Sequence, residues 1–157
     1  MSRFNTVVPV PLGEIRRIEG KLGASALAGQ LVTATDSFAA GSSYHAQSDG
    51  AAFTLNSVGN NAGVMILMEQ QDMVTAADAI TVQRAVNTWG RAHVLKKGEE
   101  VTVILAAAEV IAAGDLLDTA ANGKVCKGTT GPMFSAIETC ASTGATGDAL
   151  RILARVL

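Results

Sequence analysis

Large aromatic side chains are scarce in this sequence, which holds four phenylalanines, one tyrosine and one tryptophan among its 157 residues. Glycine, in contrast, occurs 16 times. The chain therefore has few bulky core anchors and many turns and close backbone approaches. Scarce stacking rings also argue against a carbohydrate-binding domain. A domain of this composition often needs neighbours for full stability, so we predict a homo-oligomer.

Charge is low as well, at 17% of the residues, and 12 basic and 14 acidic side chains leave a net charge of −2. No overall field attracts nucleic acid or an anionic membrane, so we predict neither as a partner. Hydrophobic residues make up 48% of the chain, which excludes a solvated disordered polypeptide. No apolar run approaches the roughly 20 residues that a membrane-spanning helix needs. These bounds predict a soluble protein of one domain that recognises its partner locally.

Only two cysteines are present, Cys126 and Cys140, and neither belongs to a Cys-x-x-Cys or Cys/His cluster that would indicate zinc or a redox pair. We expect two free thiols in a reducing cytoplasm. The first residues lack a continuous apolar run before a small-residue cleavage site, because Pro9 and Pro11 interrupt the valines. We therefore predict no secretion signal.

Catalytic patterns are absent from the sequence. His45 and His93 are the only histidines, and neither has a Cys, Asp or Glu at metal-ligand spacing. His93 has apolar neighbours, which favours a hydrogen-bonded structural role over catalysis. Asp115 and Asp118 are three positions apart in a predicted strand and so point to opposite faces. No Gly-x-Ser-x-Gly elbow and no P-loop occurs, so we predict no enzymatic activity, no cofactor and no metal.

The N-terminal third is poorly patterned. Residues 5–13 alternate valine with proline, which excludes a helix interior or a central strand. We predict an extended arm over residues 1–13, lying on its own domain or reaching a neighbouring subunit, followed by a single β-rich domain over residues 14–157. Ile15, Ile18 and Leu22 have helical spacing and favour a short helix weakened by nearby glycines. Small polar residues predict an exposed loop over residues 33–52.

From Phe53 onward strand-like runs alternate with glycine and asparagine turns. This punctuation predicts hairpins within three segments, which are residues 52–69, 79–105 and 115–130. In the last of them Asn122-Gly123 is typical of a hairpin turn. The final run, ALRILARVL, alternates as one strand does. The fold prediction is all-β, a small barrel or jelly-roll-like sandwich with an extended N-terminal arm.

Three features of these runs carry predictions about surfaces. Lys96, Lys97, Glu99 and Glu100 predict a solvated hairpin tip. Trp89 falls at a predicted turn, where it serves either as a core lid or as an interface anchor.

Arg151 and Arg155 share one face of the last strand, about 13 Å apart along it. That rim of charge either pairs with acidic side chains of its own chain or grips the carboxylates of a neighbouring protein.

Residues 95–125 resemble the lipoyl or biotinyl carrier module, in which a Gly-Asp-x-Leu segment leads to a hairpin that displays a modified lysine. Lys124 is the corresponding lysine here. The Glu-Thr-Asp-Lys or Met-Lys-Met signature at the hairpin tip is missing from this sequence. A carrier domain, or a surface-binding accessory β-domain, is the alternative to the second resemblance.

Residues 90–157 resemble the capsid decoration, or cement, proteins of tailed bacteriophages. The order that carries the resemblance is a Lys-Lys-Gly-Glu-type hairpin, an alanine-rich link with AGD, a strand into NGKV and GTTG, the segment FSAIETCASTGATGD, and the closing strand LRILARVL. The resemblance implies a non-enzymatic protein on the outer surface of the virion head, made in the host cytoplasm. Its partners are the major capsid protein, whose subunits it bridges, and its own copies in a dimer or trimer.

The candidate contacts with subunits or capsid combine the arm, the basic residues that follow it, the tryptophan and the arginine rim. They are Val7, Val8, Pro9, Val10, Pro11, Arg16, Arg17, Trp89, Arg151 and Arg155.

Overall fold

The computed structural model describes residues 17–35, 51–69, 82–106, 109–141 and 151–157, and the regular elements in these ranges are strands and one 3-10 turn, Ala121–Gly123. No helix in the described ranges is long and apolar enough to cross a membrane. The strands are β1 Arg17–Leu22, β2 Leu31–Thr35, β3 Ala51–Leu55, β4 Val64–Leu67, β5 Trp89–Val94, β6 Glu100–Ile104, β7 Val110–Ile111, β8 Leu116–Thr119, β9 Val125–Lys127, β10 Phe134–Ala136, β11 Cys140–Ala141 and β12 Arg151–Val156.

The first five strands form a closed barrel in the order β1-β3-β2-β4-β5. The pairing of β1 with β3 is parallel and the other barrel pairings are antiparallel. Gly20 lies opposite Gly90 across the β1–β5 pair, and both are buried. Two facing positions without side chains leave room inside the barrel for the larger residues of its core, such as Phe53 and Met65. The buried residues of this core are Leu22, Ala26, Val32, Phe53, Met65, Leu67 and Ala92.

A buried arginine packs beside Gly90 of the barrel. Arg84 is only 4% exposed, and its guanidinium Nη2 donates to the carbonyl oxygen of Met68. A Cβ at Gly90 would lie 3.2 Å from the Arg84 guanidinium and 3.1 Å from the Leu67 side chain. The missing side chain at Gly90 therefore leaves space for the arginine. Nothing in the sequence pattern predicts this contact, because the glycine that makes room for the arginine is six positions away.

The later strands form a second sheet in the order β6-β12-β10-β8-β9, with a small ribbon of β7 and β11 beside it. A parallel bridge joins Leu105 to Val125, so the β6 edge of this sheet meets its β9 edge. Along β12 the residues Ile152, Ala154 and Val156 are buried and the intervening ones are not. The alternation predicted for this strand is thus confirmed.

The barrel packs against the second sheet through β2 and β4. All four residues of β4 are buried. Met65 and Leu67 point into the barrel, whereas Val64 and Ile66 belong to the apolar cluster that includes the second sheet. A strand covered on both faces reads as continuous hydrophobic sequence, which explains why Val64–Leu67 shows no alternation. The larger of the two cores therefore lies between the barrel and the sheet.

The all-β class and the small barrel are confirmed, but the short helix predicted within residues 13–31 is wrong, because Arg17–Leu22 is strand β1. Ile18 and Leu22 are four positions apart, an even number, so they share a face of a strand as well as a face of a helix. The exposed loop predicted over residues 33–52 is wrong at both ends. There Thr33–Thr35 belong to β2 and Ala51–Ala52 to β3. The arm predicted over residues 1–13 lies outside the described residues.

Two of the three predicted hairpins are wrong, because other strands lie between their two halves. Strands β3 and β4 both pair with β2. In the segment 79–105, with its turn predicted at residues 87–90, Arg84 before the turn bridges to Ala26, whereas β5 after it pairs with β1 and β4 and β6 pairs with β12. The hairpin of β8 and β9 is confirmed, with Asn122 at φ 58° and Gly123 at φ 68°.

The turn of this hairpin packs on the barrel, which makes Gly123 sensitive to substitution. A Cβ there would collide with the carbonyl oxygen of Leu31, whereas a Cβ at Gly59, which also has positive φ, meets nothing. We expect Gly59→Ala to lower the free energy of unfolding by about 1–2 kcal/mol through backbone strain alone. Gly123→Ala should lower it by about 3 kcal/mol or more, because the collision adds to that strain. Urea denaturation of both variants measures the difference, and equal losses would show that the turn does not press on β2.

Candidate functional site

The predicted contact residues fall into three groups in the structure. Val7, Val8, Pro9, Val10, Pro11 and Arg16 lie outside the described residues. Arg17 is the first residue of β1 and pairs in register with His93 of β5. Trp89, Arg151 and Arg155 are described in full. The structure does not bring these last three together, because Trp89 is on the barrel and the arginines are on the second sheet.

Trp89 lies on the outer surface of the barrel rather than in a turn. It is the first residue of β5, and the turn predicted for it sits earlier, where Asn87 has φ 64°. The indole is 54% exposed. Lys21, its cross-strand partner on β1, places Nζ 5.6 Å from the ring centroid. This geometry is a cation–π contact. Of the two roles predicted for the tryptophan, its exposure favours the interface anchor over the core lid.

Arg151 is an internal tie between the second sheet and the barrel. Its Nη1 donates to the carbonyl oxygen of Ala28 at 2.5 Å, in the turn that precedes β2. The guanidinium passes over Gly29, where a Cβ would stand in its way. Burial lowers the pKa of Arg151 to about 10, so the group remains charged at neutral pH.

Arg155 occupies the same face of β12 but is exposed. Its Nη2 lies 2.9 Å from the Oε1 of Glu100 on the neighbouring strand β6. The shared face predicted from the spacing is therefore present, yet one arginine faces the barrel and the other faces solvent. Arg155 already has an acidic partner on its own chain, which was one of the two alternatives predicted for it.

A buried histidine–carboxylate pair is the main polar feature that the sequence pattern missed. His93 and Glu99 are both fully buried, with Nε2 of the ring 2.7 Å from Oε2 of the carboxylate. The same oxygen accepts from the backbone N–H of Lys96 at 2.9 Å. The hydrogen bond predicted for His93 is confirmed, and the solvated position expected for Glu99 is wrong. The turn folds its carboxylate inward because the buried imidazole needs a partner.

The pair connects two parts of the fold. His93 belongs to the barrel and Glu99 directly precedes β6, so the contact links the barrel to the second sheet.

Lys124, the residue that matches the carrier resemblance, does not project into solvent. It is half-buried directly after the 3-10 turn. The turn is held against the barrel, because Gln30 Nε2 donates to the carbonyl of Asn122 and the N–H of Gly123 donates to the carbonyl of Asn56. A carrier lysine must reach distant active sites, so this placement argues against the carrier alternative.

One cavity of about 630 Å³ lies where the mouth of the barrel meets the second sheet. Its described walls combine apolar side chains with polar surface, and Lys97 is the charged residue among them. The buried pair of His93 and Glu99 does not line it. Its described lining residues are Ile18, Ala34, Asn61, Gly63, Val64, Met65, Val94, Leu95, Lys97, Met133, Val156 and Leu157.

The other ionisable groups of the second sheet act locally. Lys127 forms an ion pair at 2.7 Å with Asp115, and this contact, with the N–H of Ala112, holds the pKa of the Asp115 carboxyl below its usual range. Cys126 and Cys140 are both free thiols, and burial raises the pKa of Cys126. In the ranges that the structure describes, no three His, Cys, Asp or Glu side chains form a group that could hold a metal ion.

Comparison with known proteins yields a match of fold. No protein-family model matches the chain, and no curated protein matches it significantly. Among solved structures, the chain is similar to the crystal structure of the head fiber gp8.5 N base of bacteriophage phi29, with a TM-score of 0.57 and 11% sequence identity. The likeness covers 92% of this chain and 95% of that chain, so the two share their fold over nearly their whole lengths.

The two arginines of β12 make a matched pair for mutation. We expect Arg151→Ala to lower the free energy of unfolding by about 2 kcal/mol, because it removes a charge-assisted hydrogen bond between the sheet and the barrel. Arg155→Ala should cost at most about 1 kcal/mol, since it breaks an exposed ion pair. Chemical denaturation distinguishes the two. A cost for Arg155→Ala as large as that for Arg151→Ala would contradict the internal role given to Arg151.

The His93–Glu99 link is tested by a double-mutant cycle. We expect Glu99→Ala to lower the free energy of unfolding by about 3 kcal/mol or more, because it leaves the buried imidazole without its partner. His93→Ala should be similarly costly. The double variant should lose clearly less than the sum of the two single losses, since each single change includes the penalty of the orphaned partner. Additive losses would show that the two side chains are not energetically coupled.

Proposed function

We propose that this protein is a structural, non-enzymatic component of a bacteriophage head. It binds the outer surface of the assembled head as a homo-oligomer and bridges neighbouring major capsid subunits. The observation that carries the proposal is the likeness to the phi29 head fiber base, which extends over 92% of the chain. A shared fold is an argument by analogy, so it needs support from the residues themselves.

The C-terminal sequence gives that support independently. The resemblance to decoration proteins rests on the order of short motifs in residues 90–157 and not on the fold. Two of those motifs have clear structural roles here. NGKV forms the turn that docks on the barrel, and LRILARVL is the strand that joins β6 to β10. Both motifs hold the fold together, which is consistent with a structural rather than a catalytic function.

The placement of ionisable groups supports a non-enzymatic role. Catalysis requires acid, base or nucleophilic groups that face a substrate. The buried pair of His93 and Glu99 joins two parts of the fold, and neither residue lines the cavity at the barrel mouth. Arg84 and Arg151 are likewise used to hold backbone carbonyls. The strongest polar contacts in the described residues thus serve the fold.

Many copies bound to one head give a stable attachment even though each copy has a small contact surface. On a head, each copy meets the same capsid lattice, and an oligomer engages several subunits at once. Each additional contact within a tethered oligomer forms at high effective concentration, so modest contacts add up to stable attachment. The valine–proline segment over residues 1–13 remains our candidate for an arm that extends this attachment, because extended segments add readily to exposed strand edges.

A head-binding assay tests the proposal. We expect the purified protein to co-sediment saturably with heads of the phage that encodes it, assembled without it, and to raise their thermal rupture temperature. Deleting residues 1–12 should weaken the binding more than it lowers the unfolding temperature of the isolated protein. The bound copies per head should match a set of symmetry-related positions. Absence of saturable binding by the full chain would overturn the proposal.

A further inference from the structure

One end of the outer face of the β1–β5 pair is exposed: Glu19, Lys21 and Trp89 are exposed there and Arg91 is half-exposed. Further along the same face of β5, His93 is buried with Glu99, and the outward residues of β4 are buried against the second sheet. Trp89 is the largest exposed apolar side chain of the described residues. Val86, in the turn just before β5, is 47% exposed. We call this surface the Trp89 face and define it by Glu19, Lys21, Val86, Trp89 and Arg91.

Two of the three charged residues on the Trp89 face pair with each other, and the third is Lys21. Glu19 and Arg91 are cross-strand partners joined at 3.0 Å, so they neutralise each other. Lys21 has no carboxylate within ion-pair distance among the described residues, and its described contact is the ring of Trp89. One ammonium group without an anionic partner therefore stands beside an exposed indole, on a chain whose net charge is −2.

This combination has the character of an anchor in a protein interface. Tryptophan is enriched at the centres of interfaces, because it buries a large apolar area at small entropic cost. A lysine held over the ring cannot stay unpaired once water is removed, so the partner must supply a carboxylate next to an apolar surface. Glu19 and Arg91 are exposed and already paired with each other, so they help to orient the partner but add little to the binding affinity.

We propose that the Trp89 face is the capsid-contacting surface, and that it docks on a head-protein site where a carboxylate lies beside an apolar patch. The proposal rests on the proposed function, because it assigns the surface through which attachment to the head occurs. The indole packs on the apolar patch and Lys21 forms an ion pair with the carboxylate.

The test compares two variants with two matched controls in the head-binding assay. Trp89→Thr keeps a strand-forming residue but removes the ring, and Lys21→Glu reverses the charge. Val58→Ser and Lys97→Glu make the same kinds of change at exposed positions elsewhere. We expect each Trp89-face variant to bind heads about tenfold more weakly or worse, with unchanged unfolding temperature, and each control to bind as the wild type does. The effect of Lys21→Glu should shrink at high salt, because exposed ion pairs are screened.

The burial of Trp89 on binding can also be measured directly, because Trp89 is the single tryptophan of the chain. Hydroxyl-radical oxidation of its peptide, measured by mass spectrometry, should fall several-fold when heads are added. If the wild type binds heads but all four variants bind equally well, the inference fails while the proposed function stands. If the wild type does not bind, the proposed function fails first. Protection of Trp89 by concentrating the protein alone would assign the face to contacts between copies and would overturn the inference.

Discussion

The contact between the barrel and the second sheet is the constraint on which the rest of the structure depends. A five-stranded barrel with glycines facing each other inside encloses a small apolar core, and β4 presents hydrophobic side chains on both of its faces. The outer side of that strand must be covered to remove it from water. The larger core therefore forms across the contact, and a domain this poor in aromatic residues gains most of its burial there.

Polar groups make this contact specific. Arg151 reaches the turn before β2, and His93 of the barrel holds Glu99 at the start of the sheet. Gln30 bonds the backbone of the β8–β9 turn. Each of these groups is stabilised only when the barrel and the sheet have one particular orientation, because an orphaned buried polar group is costly. Hydrophobic burial thus supplies the free energy, and the polar pairs select the arrangement.

Features that depend on neighbouring residues could be predicted from the sequence, whereas features that depend on residues far away in the chain could not. Alternation along β12 and the Asn122-Gly123 turn depend on neighbouring residues, and both predictions are confirmed. The insertion of β2 between β3 and β4 depends on a segment some 20 residues earlier, so the hairpin prediction was wrong there.

The burial of individual charged side chains could not be predicted from the sequence for the same reason. Period-two spacing correctly put Arg151 and Arg155 on one face. Which of them is buried depends on the turn at Ala28, which lies 123 positions away along the chain. The inward carboxylate of Glu99 had no sequence signal either, because charged residues in a turn usually face water.

Low surface charge has a consequence that a single molecule does not reveal. Copies of a protein packed closely on a shell repel one another in proportion to the square of their net charge, and a net charge of −2 keeps that repulsion small. In the proposed contact, the same low charge makes the ammonium group of Lys21, which has no carboxylate partner among the described residues, a more distinctive feature, because few other charges compete with it. In the function proposed above, recognition therefore depends on a few well-placed groups, and repetition over many copies multiplies their effect.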